Sequence, residues 1–144
     1  MNLTFRLALK YLRLDNYYNQ PICTPTRSAL MTGKYPARLG TQHSTITIDQ
    51  PHGVGLEETF LSERIQREGY ETHVVGKWHL GFYKWVYTPI YRGFETFYGF
   101  LTGSVDYKKH SNKGGYDFKK QYWAPNGTAV MENLWEANGT HCSR

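Results

Sequence analysis

The segment TFLSERIQREGYETHVVGKWHLG, residues 59–81, passes from a helical to an extended pattern across a single glycine. Phe60, Leu61 and Ile65 recur at helical spacing, Arg64 and Glu68 are four apart, and Gly69 suits a helix stop, so the pattern predicts a helix over Thr59–Glu68. The residues after it predict a strand ending at Val75, then a loop. Upstream, LRLDNYY at 12–18 alternates apolar and polar residues and predicts another strand; NQPIC turns, and a short helix follows. Thr24 is placed to cap that helix, Pro25 suits its first position, and Gly33 its end. Strand, helix and strand joined by short connections predict right-handed crossover units and a mostly parallel sheet covered by helices, an α/β class. In such sheets sites gather beyond the carboxyl ends of the strands, where Cys23, Lys77 and His79 all fall.

The rest of the chain is less periodic. TITI at 45–48 is a short strand or an extended arm. From Phe82 the aromatic- and Gly-rich run predicts irregular structure packed on the sheet, and the tail from Asn112 predicts loops. At 144 residues, with no internal repeat and no linker, the chain has room for one core and not for two ordinary domains. A net charge of +5 and a pI near 9.2 favour anionic partners, although the cluster YKKHSNKGGYDFKK reads first as a solvated loop.

Several classes are excluded or narrowed. No apolar run approaches the roughly 20 residues of a membrane span. Arg6, Lys10 and Arg13 interrupt the mildly apolar start, so no export signal is expected in the chain as written. Against that, sequons stand at Asn2, Asn126 and Asn138, where 7 Asn and 20 Ser plus Thr predict about one by chance. The two cysteines, Cys23 and Cys142, lack zinc spacing; a disulfide between them would close a long loop and stabilise by about 4–5 kcal/mol.

The residues around Cys23 carry the chemistry. A cysteine at a helix start gains from free amides and the helix dipole, which favour an anion, and Arg27 lies one turn on. A nucleophilic thiolate with His79 as base is one reading, and it predicts inactivation by thiol alkylation. A phosphatase-type loop is not one, because it needs arginine six positions past the cysteine and Ala29 stands there. A third reading makes the cysteine a precursor.

The stretch CTPTR at 23–27, continuing SALMTGKYP, resembles the sulfatase signature, and GKWHLG at 76–81 resembles its companion motif. With RGF at 92–94 and GFLTGSVDY at 99–107, the order is most similar to the arylsulfatase B branch, whose members remove 4-sulfate from N-acetylgalactosamine in dermatan and chondroitin sulfate. The resemblance is best over 12–110, with 111–144 a loop-rich tail, and implies part of an alkaline-phosphatase-like α/β/α sandwich truncated at both ends. It implies that Cys23 is oxidised to formylglycine (3-oxoalanine) by a formylglycine-generating enzyme that reads Cys23, Thr24, Pro25 and Arg27. The hydrated aldehyde offers one hydroxyl to attack sulfur and a second to expel the sulfate. By the same resemblance Arg27 holds the hydrate, Lys77 bridges nucleophile and sulfate, and His79 bonds the hydroxyl and serves as base. Thr26 departs from the family's usual serine.

The resemblance also implies calcium, bound in part by residue 23, yet most family ligands are missing. Only Asp15 precedes Cys23 where the family has an aspartate pair, no Asp-Asn follows, and His110, His141 and Lys113 match no later family residue. The expectation is therefore an internal piece of a sulfatase, lysosomal or secreted by family, with sulfated glycosaminoglycan or aryl sulfate as substrate and negligible activity alone. No nucleic acid or membrane span is expected. The alternative is a non-catalytic basic domain that binds sulfated glycans. Trp78 is expected to pack, His43 to be an exposed loop residue, His73 to face the core or a neighbour, and Asp106 is an outside candidate for substrate contact.

Overall fold

The computed structural model describes residues 15–106, 108–112, 115–117 and 119–133. Helix α1 spans Cys23–Thr32 and α2 spans Leu61–Arg67. The strands are β1 His73–Lys77, β2 Thr96–Phe100, β3 Ser111–Asn112, β4 Gly115–Tyr116, β5 Lys119–Trp123 and β6 Ala129–Asn133. Short 3₁₀ turns occupy Pro36–Arg38, Trp85–Tyr87 and Pro89–Arg92.

The main sheet has the order β1-β2-β5-β6. Strands β1 and β2 are parallel, while β2–β5 and β5–β6 are antiparallel, so the α/β architecture carries a mixed sheet. Because side chains alternate across a strand, the register puts Val74, Phe97, Gln121 and Met131 in one row on one face. Val54, Phe60, Trp78, Leu80, Phe94, Phe97 and Leu101 form the buried cluster, with Val74, Met31 and Met131 packed against it. Trp78 sits 6.1 Å edge-on from Phe94 and 6.0 Å from Phe60, and its indole N–H donates to the carbonyls of Gly81 and Tyr87, each at 3.0 Å. The opposite row is Val75, Tyr98, Lys120 and Glu132, and Val75 is 79% exposed there. His73 faces its neighbour, with Nδ1 2.8 Å from the Thr96 hydroxyl.

Several sequence expectations change. Helix α1 begins at Cys23, which puts Pro25 third in the first turn, where its missing N–H is still harmless. Thr24 caps nothing, since its side chain is committed elsewhere. Gly33 does end the helix, at φ 70°, donating to Ala29 at 2.8 Å. Helix α2 is shorter than Thr59–Glu68; the Glu63 carboxylate caps it by accepting the Phe60 amide at 2.8 Å. Residues 15–18 of the expected LRLDNYY strand are irregular, and 12–14 lie outside the described residues. TITI is an extended arm and not a ladder strand.

The aromatic segment expected to be irregular supplies β2, and the expected loop tail supplies β5 and β6. The β5–β6 turn holds the Asn126 sequon on an exposed tip, with the Asn126 side chain accepting the Thr128 amide at 3.0 Å. The sequons at Asn2 and Asn138, and Cys142, lie outside the described residues.

One close approach sets the site end of the sheet. Gly76 (φ 112°) and Gly99 face each other across β1–β2, and a Cβ on Gly99 would lie 1.9 Å from the Gly76 carbonyl oxygen. Only glycine fits, and the local geometry carries β1 straight into Lys77. The ladder continues past the strand: the amides of Trp78 and His79 donate to Phe100 and Leu101 at 2.9 and 3.0 Å.

Candidate active site

Lys77 ends β1 and Cys23 opens α1, and the two side chains meet with Lys77 Nζ 2.9 Å from Cys23 Sγ. Arg27, one turn along α1, donates from Nη1 to the Lys77 carbonyl at 2.6 Å and ties the helix to the strand end. The next tie is Thr24, fully buried, which donates to the His79 carbonyl at 3.0 Å. Spacing explains the division of labour: Thr24 and Ser28 share the buried face of α1, while Cys23 and Arg27 share the face beside β1. The sequence-selected Cys23, Thr24, Arg27, Lys77 and His79 are thus brought together, and Pro25 lies buried in the same turn.

The electrostatics favour an anion at position 23. The Lys77 hydrogen bond holds the Cys23 thiol below its ordinary range; burial opposes this, and the charge of Lys77, the residue's own amide and Arg27 add to the lowering. Cys23 is a free thiol. Among the described residues no carboxylate is ion-paired to Lys77 or Arg27.

His79 is 4% exposed and sits at φ 60°, unusual for a residue with a side chain. Its Nε2 is 2.7 Å from the Ile46 carbonyl, whereas buried Nδ1 has no hydrogen-bond partner among the described residues. Burial pushes the imidazole below its ordinary pKa; the Ile46 bond works against this, Lys77 and Arg27 reinforce it, and Asp117 opposes it.

Two parts of this neighbourhood have no periodic signal in the sequence. The arm at 45–48 supplies the Ile46 carbonyl. Asp117 is buried and accepts the amides of Leu101 and Thr102 at 3.1 and 2.9 Å and the Thr102 hydroxyl, fixing the loop after β2. In that loop a Cβ on Gly103 would lie 2.7 Å from Cε1 of His79. The arm and loop enclose a recess of about 230 Å³ lined by Thr45, Ile46, Thr47, Ser104 and Asn112 among others, with no charged side chain in its wall. A wider groove of about 480 Å³, lined by Tyr17, Tyr18, Lys34 and Tyr35 among others, contains none of Cys23, Lys77 or His79. Asp106 accepts the amides of Lys108 and Lys109 at 2.9 and 2.7 Å, which makes it a turn former. His43 is exposed.

The donor set suits one of the two groups the resemblance implies and not the other. For a hydroxyl-bearing residue at position 23 the fit is good: an ammonium at hydrogen-bond distance and an unpartnered buried imidazole nitrogen in the neighbouring loop. For calcium it is poor. Among the described residues no three His, Cys, Asp or Glu side chains converge to hold a metal. No helix among them is long and apolar enough to cross a membrane.

Known proteins resemble this chain in sequence and fold. The family model described as Sulfatase matches residues 2–138. Arylsulfatase J of Mus musculus is 50% identical over 105 residues, covering 73% of this chain and 18% of its own. The PsFucS1 sulfatase from Pseudoalteromonas sp. superposes with a TM-score of 0.67 at 28% identity, over 90% of this chain and 29% of that one. The crystal structure of Ps i-CgsB in complex with k-i-k-neocarrahexaose superposes with a TM-score of 0.60 at 36% identity, over 66% and 21%. The chain spans about a fifth of the length of the curated relatives it matches.

Proposed function

Since this chain belongs to the sulfatase family, we propose that it is one part of a sulfatase catalytic domain and contributes the nucleophile half of a site that hydrolyses sulfate esters. The observation that carries the reading is the Lys77–Cys23 contact at 2.9 Å, at the first residue of α1 and with no carboxylate among the described residues ion-paired to Lys77. As an aldehyde hydrate, residue 23 supplies the hydroxyl that attacks sulfur and the second hydroxyl that lets sulfate leave. Around it, the Lys77 ammonium stabilises negative charge on the nucleophile and on the sulfate oxygens beside it. The Arg27 cation adds to that field while its bond to the Lys77 carbonyl holds helix and strand in register. His79 keeps a lone pair at Nδ1 to take a proton from a hydroxyl. Burial keeps the imidazole neutral at neutral pH, the state a base needs.

The substrate class we favour is a sulfated sugar, of the arylsulfatase B type in its glycosaminoglycan form. The motifs RGF and GFLTGSVDY support it, as does the recess beside the 45–48 arm, where the apolar side chains of Ile46 and Ile48 suit the face of a sugar ring and Thr45, Thr47, Ser104 and Asn112 suit its hydroxyls. The sugar-bound relative Ps i-CgsB points the same way. A secretory or lysosomal setting, with glycan on the exposed Asn126 turn, follows from the same reading. Calcium enters no step here, because the described residues do not assemble a site for it. The 144-residue chain by itself is expected to turn over aryl sulfates negligibly.

The test is the mass of the tryptic peptide containing Cys23, from chain expressed through a eukaryotic secretory pathway behind an added signal peptide. The aldehyde at residue 23 supports the reading. A persistent thiol, or a disulfide to Cys142, overturns it and favours a basic domain that binds sulfated glycans without turnover.

A further inference from the structure

Thr24, Ile46 and His79 are distant in sequence and joined by three buried hydrogen bonds. The Thr24 hydroxyl donates to the His79 carbonyl at 3.0 Å and accepts the Ile46 amide at 3.2 Å. The His79 ring closes the circuit from Nε2 to the Ile46 carbonyl at 2.7 Å. Thr24 is 0% exposed, and Ile46 and His79 are each 4% exposed. A carbonyl can only accept, so Nε2 carries the proton in this bond. A neutral imidazole has one N–H, so the lone pair is left on Nδ1, the buried atom that no described residue satisfies. The backbone of residue 79 is held at φ 60°, a conformation unfavourable for a residue with a side chain, which persists only where surrounding bonds over-determine it. Thr24 supplies one of those bonds directly and, through the arm, anchors the carbonyl that orients the ring.

We propose that Thr24 is a positioning residue for His79: its hydroxyl holds the Ile46 arm and the backbone of residue 79 so that the imidazole adopts the Nε2–H tautomer and presents Nδ1 as its sole acceptor. Its catalytic consequence rests on the reading of His79 as the base given above. The other tautomer would turn an N–H toward the hydroxyl whose proton has to be removed, and base catalysis would fail. The position after Cys23 would then carry a demand of its own in the folded site, separate from any part in a modification signal. Serine meets that demand and valine, with the same shape and no hydroxyl, does not.

The experiment is imidazole ¹⁵N NMR on the full 144-residue chain with Cys23 left as a thiol, comparing the parent with Thr24→Ser and Thr24→Val. His79→Gln assigns the signal, and circular dichroism with a thermal melt checks that each variant is folded. The parent and Thr24→Ser are expected to show a single Nε2–H tautomer. Thr24→Val is expected to gain a measurable Nδ1–H fraction, approaching the mixture of an unconstrained imidazole. The proposal is overturned if the parent carries the Nδ1–H form, if Thr24→Ser fails to restore the parent spectrum, or if folded Thr24→Val keeps the parent tautomer. Should Thr24→Val not fold, hydrogen exchange at the Ile46 amide decides: protection in the parent and in Thr24→Ser supports the circuit, and exchange at the rate of an open loop overturns it. No readout uses turnover. A thiol persisting in the peptide-mass test would therefore sink the sulfatase reading and leave the tautomer result standing.

Discussion

Arg92 and Lys77 are both cations at the edge of the same core, and their surroundings could hardly differ more. Arg92 is 2% exposed and its charge is paired: Nη2 donates to the Glu58 carbonyl at 2.5 Å, Nη1 reaches the carbonyls of Val54 and Gly55 at 3.3 Å, and Nε lies 3.2 Å from the Glu63 carboxylate, an ion pair without hydrogen-bond alignment. Its guanidinium carbon also sits 3.8 Å from the Phe60 ring centroid. Its charge is answered from within the chain by one carboxylate and three carbonyls. Lys77 is answered by a thiol that prefers to be neutral in water, and Arg27 beside it by a backbone carbonyl. A neutralised cation holds a fold together, whereas a cation left with surplus charge waits for something from outside. The contrast favours the Cys23 corner as the site we propose, without appeal to any motif.

Removing Arg92 is expected to give the largest effect. Arg92→Met keeps part of the packing but leaves Glu63 unpaired and three carbonyls without their donor, which should cost about 3–5 kcal/mol in urea unfolding, enough to unfold a chain of this size. A loss below 1 kcal/mol would mean that Arg92 does not staple the loop before α2 to its 3₁₀ turn.

Next comes Gly99→Ala. The added methyl meets the Gly76 carbonyl, and the strands have to part, at a typical overpacking cost of about 1–3 kcal/mol. Because β1 ends one residue later at Lys77, the same variant should also loosen the Lys77–Cys23 contact and slow alkylation of Cys23. A destabilised protein whose thiol reacts as before would separate the sheet from the site.

Lys77→Met tests the site alone. Lys77 stabilises the thiolate, so the pH midpoint for reaction with iodoacetamide lies below that of an ordinary thiol; removing the ammonium moves the midpoint up, and the rate near neutral pH should fall on the order of several-fold. Stability should change little, in contrast to Arg92. His79 provides the complementary pH signature. Its folded pKa is depressed by burial, so the unfolded chain binds the extra proton first. Its contribution is fully present above the unfolded value of about 6.5 and is lost as pH falls toward the folded one. His79→Gln should flatten that part of the stability profile, and an unchanged slope would remove His79 as its source.

The sequence was readable where local chemistry and tertiary structure agree. Gly33 and Gly69 mark helix ends because the left-handed backbone there suits glycine in any context, and GKWHLG leaves β1 where a loop follows the strand end, as its sequence predicts. It was unreadable where packing overrides local preference. In β2 the alternation is present, Phe97 and Gly99 inward and Thr96 and Tyr98 outward, but a run of aromatics before it hides the period. Strands β5 and β6 contain lysine and glutamate because one face is solvated and bears the Lys120–Glu132 pair, and the opposite face buries a polar Gln121 beside Phe97, so they resemble a polar tail. LDNYY reads as a strand, yet residues 15–18 are exposed and pair with no strand among the described residues. The Thr24–Ile46–His79 circuit joins three distant segments by hydrogen bonds, which leave no trace in hydropathy.

The smallest expected effect sharpens the comparison from its other side. Lys34 lies just past the end of α1 with Nζ 2.5 Å from Glu58, as short as the bond Arg92 makes to the Glu58 carbonyl, and its side chain is 50% exposed. Distance alone would rank it with Arg92. Exposure ranks it far lower: water already solvates the ammonium, the long side chain gives up rotamer freedom to hold one geometry, and salt screens what remains. Lys34→Met should therefore cost about 0.2–1 kcal/mol in low salt and close to nothing in 1 M salt. Its partner is less free, since the Glu58 side chain is 11% exposed and the Glu58 carbonyl also receives Arg92. Glu58→Gln on its own, and then combined with Lys34→Met, isolates the pair. A salt-insensitive coupling above 2 kcal/mol would show that the Lys34 charge is held as Arg92's is, and that burial of the partner, more than exposure of the cation, decides which charges in this chain are structural.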